Sequence, residues 1–583
     1  MNKLTLIVIM VLGSGLVACA EGKNVYHKVD EAIKHPDKVT HLDLSGQGLR
    51  EIPSEIAMLS KIESLNLSDN RIKEVPDFLT RLVKLKTLDL RGNAIAEESR
   101  AGISKRLDKV VIHFTFLDWF TWLTGLLAGY AWGLPTVIIL VGTGIYLTIR
   151  MGFVQGRGFR HSIELIQGKH DQKDDPGEVS HFQALTTALS ATVGTGNIAG
   201  VATAIAMGGP GAVFWMWITA LVGMASKYTS CTLSLKYREL HPDGKVSGGP
   251  MYTLKHGLNM PKLAAVFAFF TLIASFGIGN MVQSNSVVDG LKVAIPSLNK
   301  PEMAGYEYYT GVILALLVGM VILGGVRRIA RVAAIVVPFM AAVYCGAALL
   351  ILFFHIEKIP SAFATILNLA LNPWAIGGGM MGEAIRYGVS RGVFSNEAGL
   401  GSAPMAHAAA KTKEPVREGL VAMLEPFIDT ILICTMTALV IVITGSWGEG
   451  RPDGLTSSGL SAYAFQSGFG SIFGEELKYI GAWVVSFGLV FFAYSTIISW
   501  SYYGDRSAEF LFGEKAVLPY RIIYTMLVVV GAAIPIKLVW NLADTANILM
   551  AAPNLLSIIL LAGMVKSMTN KYFSQKKNIP PPK

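Results

Sequence analysis

Charge is scarce in this chain. Only 16% of its 583 residues are Asp, Glu, Lys or Arg, against 52% hydrophobic, and the mean hydropathy is +0.47. Soluble domains carry about 25% charged residues, so composition alone excludes an ordinary globular protein and a disordered one. Cysteine is nearly absent, with four in all. Cys231, Cys345 and Cys434 stand in separate apolar segments without metal-ligand spacing, which excludes a cysteine metal site and makes them inert buried thiols. Catalytic signatures are missing as well: no nucleophile–base pair, metal motif or phosphate loop stands out. A loose GxGxxG lookalike, Gly194 to Ala199, lacks its last glycine. An enzyme is not expected.

What is present is a series of apolar runs between about residue 113 and 566, each long enough to cross a hydrocarbon core about 30 Å thick. The chain reads as an all-α polytopic membrane protein with a different kind of start. Residues 1–19, MNKLTLIVIMVLGSGLVAC, have one basic residue, an apolar stretch and a small-residue exit, the layout of an export signal. The ending Leu16-Val17-Ala18-Cys19 resembles a lipobox, which makes Cys19 a lipidation candidate; a plain signal or an uncleaved anchor is the alternative.

Within 20–112 the sequence repeats. THLDLSGQGLREIP, SLNLSDNRIKEVP and TLDLRGNAI place Leu42, Leu65 and Leu88 in register, and Gln47, Asn70 and Asn93 likewise. This resembles a leucine-rich repeat, in which the leucines fill the core and the Asn bonds backbone at the turn. Three units are near the minimum for a continuous core, so the module is expected to lean on the membrane domain or a partner. A protein-binding surface and a mere spacer are both open readings.

A Trp-rich amphipathic stretch over 113–132 is expected at the membrane interface. The transporter domain is placed at 133–570, with a first helix near 133–149 and ten more near 181–206, 211–235, 263–290, 308–325, 332–355, 376–409, 419–446, 479–503, 519–536 and 543–565. The connections on one side hold 24 basic residues and those on the other hold six. Basic loops stay inside, so the repeats are expected outside the cytoplasmic membrane and the tail 571–583 in the cytoplasm. A basic rim against anionic membrane lipid accounts for the net charge of +9 without nucleic acid.

Two helices are interrupted by glycine and small polar residues: SATVGTGNIAG at 190–200 and GVSRGVFSNEAGLGSAP at 388–404. Open backbone at membrane depth is tolerated only where protein or a wet cavity satisfies it. Each break opens a set of five helices, and an odd number of spans inverts the second set. That is the pattern of an inverted-repeat secondary transporter with its site between the breaks.

GGPGAVFWMWITALVGM (208–224), preceded by VGTGNIAGVATAI and followed by RGVFSNEAGLGSAPMAHAAA, resembles the alanine or glycine:cation symporter family over about 116–570. The resemblance implies a leucine-transporter-like fold, a 5+5 inverted repeat plus one leading helix, and sodium-coupled uptake of alanine or glycine. The signal and repeats lie outside the family's usual pattern.

Free amides at a half-helix N-terminus suit a carboxylate, which points to the backbone of Thr195 and Gly196 beside Gly194 for the substrate. Gln283 is a candidate for its amino or carboxyl group, Phe394 for capping the side-chain pocket, and Ser395 and Asn396 for the ammonium or a cation. By likeness to the leucine-transporter fold, the Thr192 carbonyl and Asn197 side chain hold one sodium. Carbonyls near Ser190 and Val193, with the hydroxyls of Ser495 and Thr496, hold a second. Sodium is the one metal expected. Helix packing is the plainer reading for each hydroxyl. Glu397 and Arg391 are expected to neutralise one another and Lys227 to snorkel. Glu425 and Asp429 share a helical face, and with His181 and His407 form either gating contacts or a proton relay. A proton-coupled transporter and an amino-acid sensor whose repeats recruit a protein are the competing functions.

Overall fold

The computed structural model describes residues 25–576 except 96, 173, 243, 300–302, 304, 372–378, 449–450, 453–454 and 535. The expected signal and Cys19 lie outside the described residues. The chain divides into two units, 1–126 and 127–583.

The first unit is a parallel five-stranded sheet in sequence order, β1 (Val25–Tyr26), β2 (His41–Asp43), β3 (Ser64–Asn66), β4 (Thr87–Asp89) and β5 (Val111–His113). Leu42, Leu65 and Leu88 pair across β2–β4 and are buried. Asn70 donates to the carbonyls of Leu44 and Leu67 at 2.9 Å and accepts from Leu49 N–H at 2.9 Å, and Asn93 repeats the pattern one turn on. Each amide side chain therefore replaces the backbone partners a turn lacks. Gln47, in register by sequence, instead donates to His27 O. The sheet is two strands longer than the three repeats. With Ile103 of α1 (Glu97–Arg106) and Leu107 just after it in the core, the module has its own apolar centre.

The second unit is helical. α2 (Phe116–Ala131) runs through the division at 126/127, and α3 (Leu134–Arg150) and α4 (Val154–Ile166) follow. α5 (His181–Thr192) starts on a capping box in which Ser180 and Gln183 satisfy each other's amides. α6 (Val201–Gly208) continues it at 51° through a π-turn at Gly196–Gly200, and α7 (Gly211–Lys236) packs against α6. α8 (Pro261–Phe276) and α9 (Val282–Ala294) form one long span through a π-turn at Gly277–Met281. Next come α10 (Tyr306–Ile322), α11 (Gly325–Phe354) and α12 (Ile359–Leu371). α13 (Gly379–Asn396) and α14 (Ala403–His407) flank the second break. α15 (Pro415–Ala422) leads through a π-segment to α16 (Thr435–Ile443). α17 (Ser457–Phe473), α18 (Tyr479–Phe512), α19 (Val517–Ala533), α20 (Ile536–Leu560) and α21 (Ala562–Lys576) complete the unit.

Among the described residues, six helices are long and apolar enough to cross a membrane, eight if each bent pair is one span. The sequence count was eleven. Both α12 and α17 fell in stretches read as connections. Outward faces such as Ile335, Phe339 and Phe353 of α11 are more than half exposed, a surface that suits lipid and not water.

Candidate functional site

The two breaks touch. Val193–Thr195 leaves the helix, and a Cβ on Gly196 would stand 2.9 Å from Ser395 Cα. A Cβ on Gly194 would stand 2.6 Å from Thr496 Oγ1. Glycine lets the chain just after α5 meet the backbone of α13 at Gly196 and the Thr496 side chain of α18 at Gly194. The second break spans 397–402, where Glu397, Gly399 and Gly401 have φ of +53°, +87° and +95°.

Between the breaks lies a small cavity of about 10 Å³, about the space of one water. Thr192, Gly194, Thr195 and Gly196 form one wall, and Gln283, Phe394, Glu397, Thr496 and Trp500 the others. Thr195 Oγ1 and Gln283 Oε1 are buried without a partner, a state that costs about 1–3 kcal/mol per group unless something fills it. Thr195 and Gly196 open the second half-helix, so no residue one turn earlier in their own segment accepts their N–H. Glu397 accepts from Trp500 Nε1 at 2.8 Å and from Ser402 Oγ at 2.5 Å. The Phe394 ring lies 4.8 Å from that of Trp540, with the Arg391 guanidinium over both.

Other expected residues sit just off the cavity. Ser395 and Asn396, expected at the substrate, face away from it: Ser395 Oγ donates to Asp429, and Asn396 donates to Thr430 and accepts from Ala398 N–H. Asn197 folds back, accepting from Gly194 N–H at 2.9 Å and donating to Asp429 at 2.7 Å. Ser190 and Ser495 meet where α5 crosses α18, Ser190 Oγ donating to Ser495 O at 2.7 Å. Val193 is buried beside them in extended backbone. Thr496 Oγ1 donates to Phe492 O, and Thr192 Oγ1 turns to its own helix.

The sequence from 117 to 582 matches the model of the sodium:alanine symporter family, and 37–95 match a leucine rich repeat. The chain belongs to the sodium:alanine symporter family. It is 46% identical to the sodium/alanine symporter AgcS of Methanococcus maripaludis, over 79% of this chain and 98% of that protein. It is 36% identical to a probable sodium/glutamine symporter, GlnT, of Bacillus subtilis, over 78% and 91%. A putative sodium/proton-dependent alanine carrier, YrbD, of the same organism shares 37% over 76% and 91%. The crystal structure of MhsT in complex with L-phenylalanine aligns with TM-score 0.47 at 13% identity, over 68% of this chain and 98% of that one. These relatives are transporters, so membership makes this chain a multi-pass membrane transporter and not an enzyme.

Three site features of this symporter-family chain were missed or misread in its sequence. Glu397 lines the cavity, and Arg391 pairs instead with Asp544 at 3.2 Å; six residues of separation across a break do not bring the first pair together. An ionisable residue inside an apolar broken helix was the available signal. Asp429 is fully buried and takes hydrogen bonds from Asn197, Ser395 and Thr430, with no ion-pair partner among the described residues. Lys227 does not snorkel: it is 2% exposed and bonds Glu425 at 2.6 Å.

Proposed function

We propose that this chain is a secondary active transporter coupling sodium to the uptake of a small neutral amino acid, alanine or glycine, across the bacterial cytoplasmic membrane. The observation that carries the reading is the cavity between two touching helix breaks, walled by buried oxygens of Thr195 and Gln283 that lack partners. A zwitterion supplies what these walls want. Its carboxylate goes to the Thr195 and Gly196 amides, and its ammonium to Gln283 Oε1 and the Glu397 carboxylate. Phe394 and Trp500 wall the space its side chain enters, which favours a small one. The name of AgcS supports alanine; that of GlnT marks the side-chain pocket as the part that varies.

Sodium takes oxygen ligands, and two clusters offer them. One is the Ser190–Val193–Ser495–Thr496 crossing. The other joins Asp429, unmatched by a basic side chain, to Asn197, Ser395 and Thr430, with the Thr192 carbonyl nearby on the cavity wall. One charge moving down about 100 mV yields about 2.3 kcal/mol, and a tenfold sodium gradient adds about 1.4 kcal/mol. Together they support accumulation of several hundred-fold, roughly, so one ion suffices. The fold proposed is the leucine-transporter-like 5+5 inverted repeat with one leading helix, the repeats outside as a docking module for a protein, and the tail inside.

The test is uptake of labelled alanine by vesicles holding the purified chain. Accumulation that follows a sodium gradient supports the proposal; a pH gradient acting alone makes it a proton carrier, and saturable binding without accumulation makes it a sensor. Asp429→Asn is expected to raise the sodium concentration needed for half-maximal uptake about tenfold. An unchanged requirement removes Asp429 from the ion site.

A further inference from the structure

Beyond the transport cavity, a line of ionisable side chains runs through the buried interior. His181, at the start of α5, bonds one oxygen of Glu418 through Nδ1. The other oxygen of Glu418 lies 2.5 Å from His407 Nδ1, and His407 Nε2 lies 2.5 Å from Glu425 Oε1. Glu425 Oε2 accepts from Lys227 Nζ at 2.6 Å. His407, Glu418 and Glu425 have no exposed surface, and His181 and Lys227 are each 2% exposed. At the outer end His181 Nε2 stands 3.9 Å from the half-exposed carboxylate of Asp171. The line therefore reaches water at one face, the face of the loop that precedes α5.

Proton counting makes the arrangement informative. A neutral imidazole has one N–H and one bare lone pair. Both ring nitrogens of His407 face carboxylate oxygens, so a neutral ring between two ionised glutamates sets lone pair against lone pair on one side. One additional proton removes the conflict. With it, His407 and Lys227 stand as two cations against two carboxylates; without it, Lys227 bonds Glu425, and Glu418 keeps only its His181 hydrogen bond and the more distant charge of Arg238.

Among the described residues no neighbouring cation hydrogen-bonds Glu418, and Glu425 has Lys227 alone. α7 adds Cys231, close to Glu425 and Glu418. Arg238, just past the end of α7, donates to the carbonyls of Pro176, Ala408, Ala410 and Thr412 and acts on Glu418 only through its charge. From the second break comes Glu397 and from α18 Tyr503, which faces Glu397 and Glu425. Nearer the mouth, Arg417 faces His181, and Asp175 faces Arg238.

The line also lies directly behind a seam. The amides of Glu178 and Val179 donate to Ala409 O, Lys411 N–H donates to Val179 O, and Thr412 N–H to Pro176 O. This short zipper joins the start of α5 to the end of α14, the outer halves of the two broken helices. When it parts, its amides find water. The glutamates behind it find partners only if the proton stays.

We propose that the His181–Glu418–His407–Glu425–Lys227 line binds one exchangeable proton as a ligand of the closed end, and that losing it through Asp171 releases α5 from α14. The proton enters and leaves at the same face, so it gates without being carried across. Alkaline conditions at that face open it, and acid holds it shut. The physiological meaning, control of amino-acid release, rests on the transport reading; the structural event does not.

Hydrogen exchange of the purified full-length protein, read by mass spectrometry and corrected for intrinsic rates, tests it directly. Between about pH 6 and about pH 9, protection of peptides covering 176–181 and 408–413 is expected to fall roughly tenfold or more in the unmodified chain. Glu418→Gln should abolish the dependence while keeping every hydrogen bond. The new amide donates to His407 Nδ1 and accepts from His181, and a neutral His407 donates to Glu425. A flat profile in the unmodified chain, or the same slope in Glu418→Gln, overturns the proposal. Alanine exchange by vesicles with only the pH at that face varied is the second readout, expected to speed up on the alkaline side in the unmodified chain alone. If alanine is not a substrate, that signal vanishes for both proteins while the amide measurement still decides.

Discussion

At the first break, Val193–Thr195, the Val193 amide bonds Leu189 O and the Gly194 amide bonds the Asn197 side chain, but the Thr195 hydroxyl stands at the cavity without a partner. At the second, 397–402, Asn396 caps Ala398 N–H and Asn554 of α20 donates to Gly399 O at 2.9 Å. Both interruptions recruit side chains for their backbone, and among the described residues of the two only the first leaves a buried hydroxyl unsatisfied. An unsatisfied group at this depth calls for a ligand; a satisfied break serves as a wall against which the ligand is held.

Four substitutions sharpen that contrast. The largest effect belongs to Gly196→Val, whose Cβ falls on Ser395 Cα. Overpacking of about 1–3 kcal/mol, placed on the ligand geometry itself, should lower sodium-driven uptake on the order of 100-fold. Near-normal uptake would mean that the breaks need not touch. Gln283→Leu removes an acceptor with no partner together with the Nε2 donor to Ile278 O, so KM for the amino acid rises roughly tenfold at a stability loss of about 1 kcal/mol; an unchanged KM takes Gln283 out of the site. Asn396→Ala should show only the second of these effects. It strips the second break of its cap, costing about 1 kcal/mol, which appears as a lowered Tm with KM unmoved. Thr192→Val is expected to be nearly silent in uptake, because the hydroxyl bonds only Ala188 and Leu189 of its own helix and its carbonyl survives.

Both breaks were legible in the sequence because glycine and small polar residues have no other reason to gather inside an apolar run. The Leu42–Leu65–Leu88 register was equally plain, since a period repeats its own evidence. The capping strands β1 and β5 were not, because they fall outside the period. Pairings between distant segments were legible only in part. Ser190 was expected near Ser495, and His181, His407 and Glu425 were expected to act together, but nothing local tells Arg391 to choose Asp544 over Glu397, or brings Glu418 and Lys227 into the line. α12 and α17 escaped because each is too short to satisfy a membrane-length criterion.

The Arg391–Asp544 pair gains significance from its place on α13, on the far side of the second break from His407. Its guanidinium lies over the Phe394 and Trp540 rings, so this end of the second broken helix is anchored by aromatic faces and one ion pair instead of a relay of imidazoles. If the proposed proton holds the His407 end alone, the two ends of one interrupted helix are fastened by different chemistry.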